Sequence, residues 1–128
     1  QAKGLGITKV AAIESRGFFF GSLIAHRLGV GYIPVRKKGK LPFTTLSVTY
    51  DLEYGTDTLE IHTDAIVPGD RVLIHDDVLA TGGTARAAVE LVEKAGGQVV
   101  LLSFLMELKA LGGREKLSGH PVKCLMDF

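Results

Sequence analysis

Blocks of apolar residues in the first third of the chain predict a strand, a helix and a second strand. Lys9–Ile13 is a short apolar run, and Gly17–Leu28 is long enough for a helix that ends at Gly29. Residues 32–35 are apolar again. This order is the repeating unit of folds in which helices connect parallel strands.

The second half of the chain repeats this pattern with longer elements. The predicted elements are a strand at 71–75, a helix at 84–95, a strand at 98–106, a helical turn near 110–117 and a strand at 122–126. In the helix, Ala88, Leu91 and Val92 lie on one face and charged residues on the other. We therefore predict an α/β fold, with an open, mostly parallel sheet flanked by helices, as one domain over residues 1–128.

Residues 37–64 interrupt this alternation of strands and helices. They contain glycines, prolines, threonines and charges, with weak apolar alternation at 46–52 and at 58–62. Such alternation predicts a hairpin or ribbon. We expect a mobile excursion from the core that closes over a ligand as a lid.

Composition and charge narrow the class of protein. The chain of 128 residues is 46% apolar and 23% charged, which is ordinary for one globular domain. Its net charge of +1 gives no argument for nucleic acid or a membrane surface as a partner. The longest apolar runs are far shorter than the ~20 residues that cross a bilayer. The single cysteine excludes an internal disulfide, so we expect a soluble cytoplasmic protein.

The segment at residues 72–84 carries the clearest chemical signal. An apolar strand runs into Asp76 and Asp77 and then into a loop of small residues that opens a helix. Ligands of open α/β sheets bind beyond the carboxyl ends of the strands, where this loop must lie. The glycines allow close approach of the backbone to an anion, and the helix N-terminus favours negative charge. We therefore expect a phosphate on Ala80, Thr81, Gly82, Gly83 and Thr84.

Two common nucleotide-binding motifs are absent from the sequence. Neither the P-loop pattern nor the dinucleotide pattern of three glycines occurs. A pair of acids that only caps a helix is the structural alternative for Asp76 and Asp77. Adjacent acids at a strand end are costly without partners, which disfavours that alternative.

The apolar strand, the two acids and the sequence Ala-Thr-Gly-Gly-Thr resemble a motif of the type I phosphoribosyltransferases that binds 5-phosphoribosyl-1-pyrophosphate (PRPP). The resemblance implies the fold of that family. It also implies that Asp76 and Asp77 hold the ribose hydroxyls, and that residues 80–84 cradle the 5-phosphate.

Three further segments resemble the adenine branch of this family. Residues 14–21 (Glu-Ser-Arg-Gly-Phe-Phe-Phe-Gly) are similar to its pyrophosphate loop, residues 36–42 to its basic segment, and residues 50–55 to its mobile catalytic loop. By itself, a basic run such as 36–40 is typical of a solvated loop. The order and approximate spacing of all four motifs are kept over nearly the whole chain. The resemblance therefore implies that the basic run binds pyrophosphate.

The resemblance implies roles for individual residues. Pyrophosphate would be bound by Ser15, Arg16, Arg36, Lys37 and Lys40, with Mg²⁺ held by substrate oxygens and no dedicated protein ligands. Glu53 would be the general acid/base at the purine, with Tyr54 helping the loop to close, and Asp76 and Asp77 would stabilise positive charge on the ribose. Val78 and Leu108 would line the base pocket. A cis peptide between Glu14 and Ser15 is also expected.

The implied reaction joins adenine to PRPP and gives AMP and pyrophosphate in purine salvage. The resemblance also implies a homodimer. Members of the branch carry an N-terminal hood over the adenine, and this sequence begins after the matching region. Two alternatives stay open, an enzyme for another purine base and a regulatory domain that senses PRPP without catalysis. The presence of Arg16, Lys40 and Glu53, which a sensor need not keep, argues against the sensor.

Overall fold

The computed structural model describes residues 2–52 and 54–128. After a short 3₁₀ turn, Ala2–Leu5, the elements are β1 Lys9–Ile13, α1 Gly17–Leu28, β2 Gly31–Lys37, β3 Thr45–Asp51, β4 Thr56–His62, β5 Arg71–Leu79, α2 Gly83–Lys94, β6 Gln98–Glu107, a 3₁₀ turn Lys109–Leu111, α3 Gly113–Lys116 and β7 Val122–Asp127. The bounds predicted for β1 and α1 coincide with those observed. Strand β5 runs four residues beyond its predicted end and includes both acids.

The strands form one seven-stranded sheet in the order β3-β4-β2-β1-β5-β6-β7. Neighbours from β2 to β7 are parallel, whereas β4 is antiparallel to both β2 and β3. The predicted α/β class and mostly parallel sheet are therefore confirmed. The antiparallel pair at one edge makes the sheet mixed.

Helices α1 and α2 cover opposite faces of the sheet. The larger core lies under α2, where Ala88, Leu91 and Val92 are fully buried. The smaller core lies under α1 and includes Ala25. Gly21 lets α1 approach β1 closely, because a Cβ on Gly21 would lie 2.4 Å from the Cβ of Ala12.

The predicted hairpin at residues 37–64 is present as β3 and β4. It is joined to the core more firmly than the weak apolar pattern indicated, because Leu59 and Ile61 on β4 are fully buried beneath α2. Lys94 of α2 also donates a hydrogen bond from Nζ to the carbonyl oxygen of Ser47, at 3.1 Å. The mobility of this segment remains a prediction, which we restrict to the residues beyond the ends of β3 and β4.

Within the described residues, no helix is both long and apolar enough to cross a membrane.

Candidate active site

The carboxyl ends of β1, β2 and β5 meet around a cavity of about 310 Å³. From β1 the chain crosses through α1 to β2 on one side, and from β5 it crosses through α2 to β6 on the other. The loops after β1 and β5 therefore diverge and leave a crevice between them. Such a switch point is where open α/β sheets bind ligands.

One end of the cavity is the N-terminus of α2. Gly82 is the N-cap and has a φ of +88°, which a residue with a side chain adopts only at a cost. No side chain among the described residues caps this helix by a hydrogen bond. The first backbone amides of α2 thus have no intrahelical acceptor and point beyond the helix end. Residues 80–84 are therefore suited to bind a phosphate, as the sequence predicts.

Asp76 and Asp77 lie in the middle of the cavity in different surroundings. Asp77 forms an ion pair with Arg16, with 2.9 Å between Oδ2 and Nε. Burial raises the pKa of Asp76 to about 7, and a hydrogen bond with Asp77 acts in the same direction. Near neutral pH, Asp76 therefore exchanges a proton readily, next to a carboxylate that is matched by a cation.

The loop after β1 forms a side wall of the cavity. The peptide between Glu14 and Ser15 is cis, as the resemblance predicts. The Glu14 carboxylate accepts hydrogen bonds from the backbone amide of Lys37 and, at 3.4 Å, from Nε of Arg36. The end of β2 is thereby tied to the loop that carries Arg16. Sequence analysis quoted Glu14 only as part of a motif and did not predict this tether.

Lys37 contributes a positive charge to the cavity lining. Burial alone would lower the pKa of Lys37, but hydrogen bonds with Asp57 and Tyr50 raise it, so the ammonium group stays charged. The hydroxyl of Tyr50 accepts from Nζ of Lys37 at 3.2 Å and from Oγ1 of Thr84 at 3.4 Å. Tyr50 thus links the hairpin to the phosphate loop. Sequence reasoning missed Asp57 because only the pairing of β2 with β4 brings it near Lys37.

Comparison with known proteins decides the family. Residues 2–127 match the phosphoribosyl transferase domain. The chain belongs to the phosphoribosyltransferase family, in its adenine branch. It is 64% identical over 126 residues to the adenine phosphoribosyltransferase of Flavobacterium johnsoniae, covering 98% of this chain and 74% of that protein.

Solved structures of phosphoribosyltransferases agree with this assignment. The adenine phosphoribosyltransferase of Thermoanaerobacter pseudethanolicus is 56% identical and superimposes with a TM-score of 0.96 over 98% of this chain and 73% of that chain. The Trypanosoma brucei enzyme, solved with AMP, pyrophosphate and ribose-5-phosphate, is 30% identical, with a TM-score of 0.87 over 94% of this chain and 56% of that chain. The type I phosphoribosyltransferase fold is thereby confirmed.

The cavity brings together several of the residues that the phosphoribosyltransferase motifs indicate. Those that line it are Arg16, Lys37, Asp76, Asp77, Val78, Ala80, Thr81, Gly82 and Thr84. Gly83, the first residue of α2, completes the phosphate loop.

Other predicted residues lie outside the lining of this cavity. Arg36 turns to Glu14 and lies over the ring of Phe18, 5.7 Å from its centroid. Lys40 and Tyr54 are exposed. Ser15 belongs to the turn before α1.

Leu108, at the end of β6, donates its backbone amide to the carbonyl oxygen of Leu79. It does not line the cavity. Glu53, the predicted general acid/base, lies outside the described residues. The roles assigned to these residues remain predictions.

Proposed function

We propose that this chain transfers the 5-phosphoribosyl group of PRPP to adenine, with AMP and pyrophosphate as the products. The single observation that carries the proposal is that one cavity combines three kinds of group. Its lining contains the backbone of the loop before α2, the acids Asp76 and Asp77, and the cations Arg16 and Lys37. PRPP has three matching parts, which are a phosphate, a ribose with free hydroxyls and a pyrophosphate.

The 5-phosphate lies at the loop before α2, and the ribose lies beside Asp76 and Asp77. The phosphate accepts hydrogen bonds from the amides of residues 81–84, which lie at a helix N-terminus. The ribose hydroxyls donate to Asp76 and Asp77. As the bond to pyrophosphate breaks, positive charge develops on the ribose ring, and these acids stabilise it.

Pyrophosphate leaves beside the cations Arg16 and Lys37. Arg16 can offer two parallel hydrogen bonds to phosphate oxygens, and Lys37 offers a compact charge. In the structure these cations are held by Asp77 and Asp57, so PRPP takes the place of two internal ion pairs. Arg36, Lys40 and Ser15 are further pyrophosphate ligands in this proposal.

Mg²⁺ fits this site as a partner of the substrate. Within the described residues no group of three His, Cys, Asp or Glu side chains forms a metal cage. The carboxylate oxygens of Asp76 and Asp77 are hard donors of the kind that Mg²⁺ accepts, and substrate oxygens with water complete such sites. The ion would neutralise charge on the departing pyrophosphate.

Adenine replaces pyrophosphate at the ribose carbon. Its N9 forms the new bond to C1 of the ribose, and the proton of the base is transferred to an acceptor. We assign this acid/base role to Glu53, with Tyr54 helping to close the loop. Val78 lines the cavity beside the ribose acids and supplies an apolar contact for the base, with Leu108 beyond it.

A homodimer is part of the proposal. The outer side of α1 exposes Phe19, Phe20 and Leu23 together, of which Phe19 is 73% exposed. Adjacent apolar side chains of this size are typical of protein interfaces. Light scattering should give twice the mass of the 128-residue chain, and replacing Phe19 with Ser should lower it.

A base-by-base assay with PRPP and magnesium tests the reaction. We expect adenine to be converted to AMP, with hypoxanthine, guanine and xanthine unreactive. Turnover of hypoxanthine or guanine instead would favour the alternative purine enzyme. Binding of PRPP without turnover of any base would favour the sensing domain.

A further inference from the structure

The backbone of the 5-phosphate loop rests directly on the N-terminus of α3, a contact that the reaction does not require. A Cβ on Gly113 would lie 2.4 Å from the carbonyl oxygen of Ala80 and 2.9 Å from Cδ1 of Leu79. A Cβ on Gly82 would lie 2.6 Å from the carbonyl oxygen of Gly113. Two glycines are therefore needed where these backbones meet.

An ion pair fixes this part of α3 to the end of β6. Glu107, the last residue of β6, is 5% exposed. Arg114 donates from Nε to both of its carboxylate oxygens, at 2.8 and 2.9 Å. Arg114 also donates from Nη1 to the carbonyl oxygen of Val122, at 3.3 Å. The residue directly after Gly113 is thus held from two strands.

These two observations form one chain of contacts that leads to the phosphate cradle. Glu107 holds Arg114, Arg114 sets the position of Gly113, and Gly113 supports Ala80 and Gly82 from behind. The loop cannot retreat from its ligand because its rear surface is in contact with backbone atoms. Amides held in place before the ligand arrives bind it with less ordering cost.

We propose that Glu107 and Arg114 are positioning residues for the 5-phosphate loop, acting through the backbone of Gly113. The inference rests on the proposed function, because it assumes that residues 80–84 bind the 5-phosphate of PRPP. A purely structural role for the ion pair would affect the whole cavity. Positioning of one loop affects ligands of that loop alone.

Two probes separate these roles. Ribose 5-phosphate contacts the loop at residues 80–84, whereas pyrophosphate contacts Arg16 and Lys37, which touch neither α3 nor Glu107. Calorimetric titration of the 128-residue chain with each probe, in the presence of magnesium, gives two dissociation constants for every variant. Thermal unfolding of each variant reports whether it is folded at the titration temperature.

Gly113→Ala should weaken ribose 5-phosphate about tenfold, because the added methyl displaces the loop in a tightly packed region. Pyrophosphate binding should change less than about twofold. Arg114→Met should show the same split between the probes. Arg114→Lys, which keeps the charge, should recover part of the loss, which a role in helix packing alone would not predict.

Lys109→Met is the matched control. Lys109 pairs with Asp127 at 2.9 Å in the same part of the fold, but the pair is exposed and does not touch the phosphate loop. This variant should bind both probes like the parent chain.

Equal losses for both probes in Gly113→Ala and Arg114→Met would overturn the inference, and so would unchanged affinity for ribose 5-phosphate. If the parent chain itself failed to bind ribose 5-phosphate, the proposed function would be wrong, and the positioning role would fall with it. Binding by the parent with no split in the variants would overturn the positioning role alone.

Discussion

The cavity lining offers two kinds of group to an anion. At the loop that we assign to the 5-phosphate, the N-terminus of α2 presents backbone amides and Gly113 supports the loop from behind. At Arg16 and Lys37, which we assign to pyrophosphate, long side chains carry the charge. The Arg16 side chain is 77% exposed and bonded to Asp77, while Lys37 is bonded to Asp57.

In the proposed reaction, this difference lets one site hold one phosphate and release another. Fixed amides need little reorganisation, so they suit a group that stays bound through the reaction. Mobile cations must first give up their carboxylate partners, which lowers their net affinity for pyrophosphate. That exchange suits a leaving group, because the internal ion pairs can form again when it departs.

The largest expected effect belongs to the proposed general acid/base. Glu53→Gln should lower turnover about a hundredfold, which is within the usual contribution of general acid/base catalysis. The affinities for ribose 5-phosphate and pyrophosphate should stay unchanged, because Glu53 is assigned to the base. Steady-state kinetics together with calorimetry measure both quantities. Parental turnover would remove the acid/base role, and loss of pyrophosphate affinity would assign Glu53 to pyrophosphate binding.

Gly82→Ala tests whether the 5-phosphate end is rigid. The variant combines a left-handed backbone with a Cβ too close to Gly113, so we expect roughly thirtyfold weaker binding of ribose 5-phosphate. Gly39→Ala is the matched control, because Gly39 has a φ of +83° but open space around it. Its affinity for ribose 5-phosphate should stay near that of the parent. Similar losses in both variants would mean that backbone strain, and not support from Gly113, explains the effect.

Asp76 should give the chain a pH-dependent stability. The pKa of Asp76 is raised from 3.8 to about 7 in the folded chain, mainly by burial. Between these pH values the folded state binds the proton more tightly than the unfolded state does. The contribution of Asp76 to the free energy of unfolding therefore falls as the pH rises from about 4 to about 7, by about 4 kcal/mol at most.

Urea unfolding of the parent and of Asp76→Asn across this pH range isolates that contribution. Burial lowers the pKa of His75, so the contribution of His75 to stability rises with pH. This contribution is present in both proteins, so it largely cancels when their free energies of unfolding are subtracted. Asp64→Asn, at an exposed position, should behave like the parent. A difference between parent and Asp76→Asn that does not vary with pH would show that Asp76 stays ionised throughout.

The smallest expected effect is at the pyrophosphate end. Lys37→Met should weaken pyrophosphate about fivefold. In the parent chain Asp57 already competes for the Lys37 ammonium group, which lowers the net contribution of Lys37 to pyrophosphate binding. Lys40→Met, at an exposed position outside the cavity lining, should cost about twofold at most. Both losses of pyrophosphate affinity should shrink at high salt. Binding of ribose 5-phosphate to the backbone amides should depend on salt less steeply. Calorimetry at two salt concentrations tests whether Lys37→Met weakens pyrophosphate binding more than Lys40→Met does. A larger effect of Lys40→Met would contradict this prediction.

Much of the fold followed from local patterns. The helix α1 has the bounds predicted from its apolar run and from Gly29, whose φ of +69° ends the helix in the left-handed region. The hairpin was harder to predict from the sequence, because the alternation of apolar Leu59 and Ile61 with polar residues covers only a few positions. Their complete burial depends on α2, which lies far away in sequence, so a local window could not reveal it.

The sequence by itself determined the chemistry of the phosphate end. Residues 72–84 contain, without interruption, a strand, two acids, a glycine turn and the start of a helix. Local geometry therefore specifies the phosphate loop at residues 80–84. Tertiary structure decided which charges meet across the sheet. Arg16 and Asp77 are brought together by the pairing of β1 with β5, and Lys37 and Asp57 by the pairing of β2 with β4. Burial, which raises the pKa of Asp76 and requires glycine at position 113, likewise exists only when distant segments pack together.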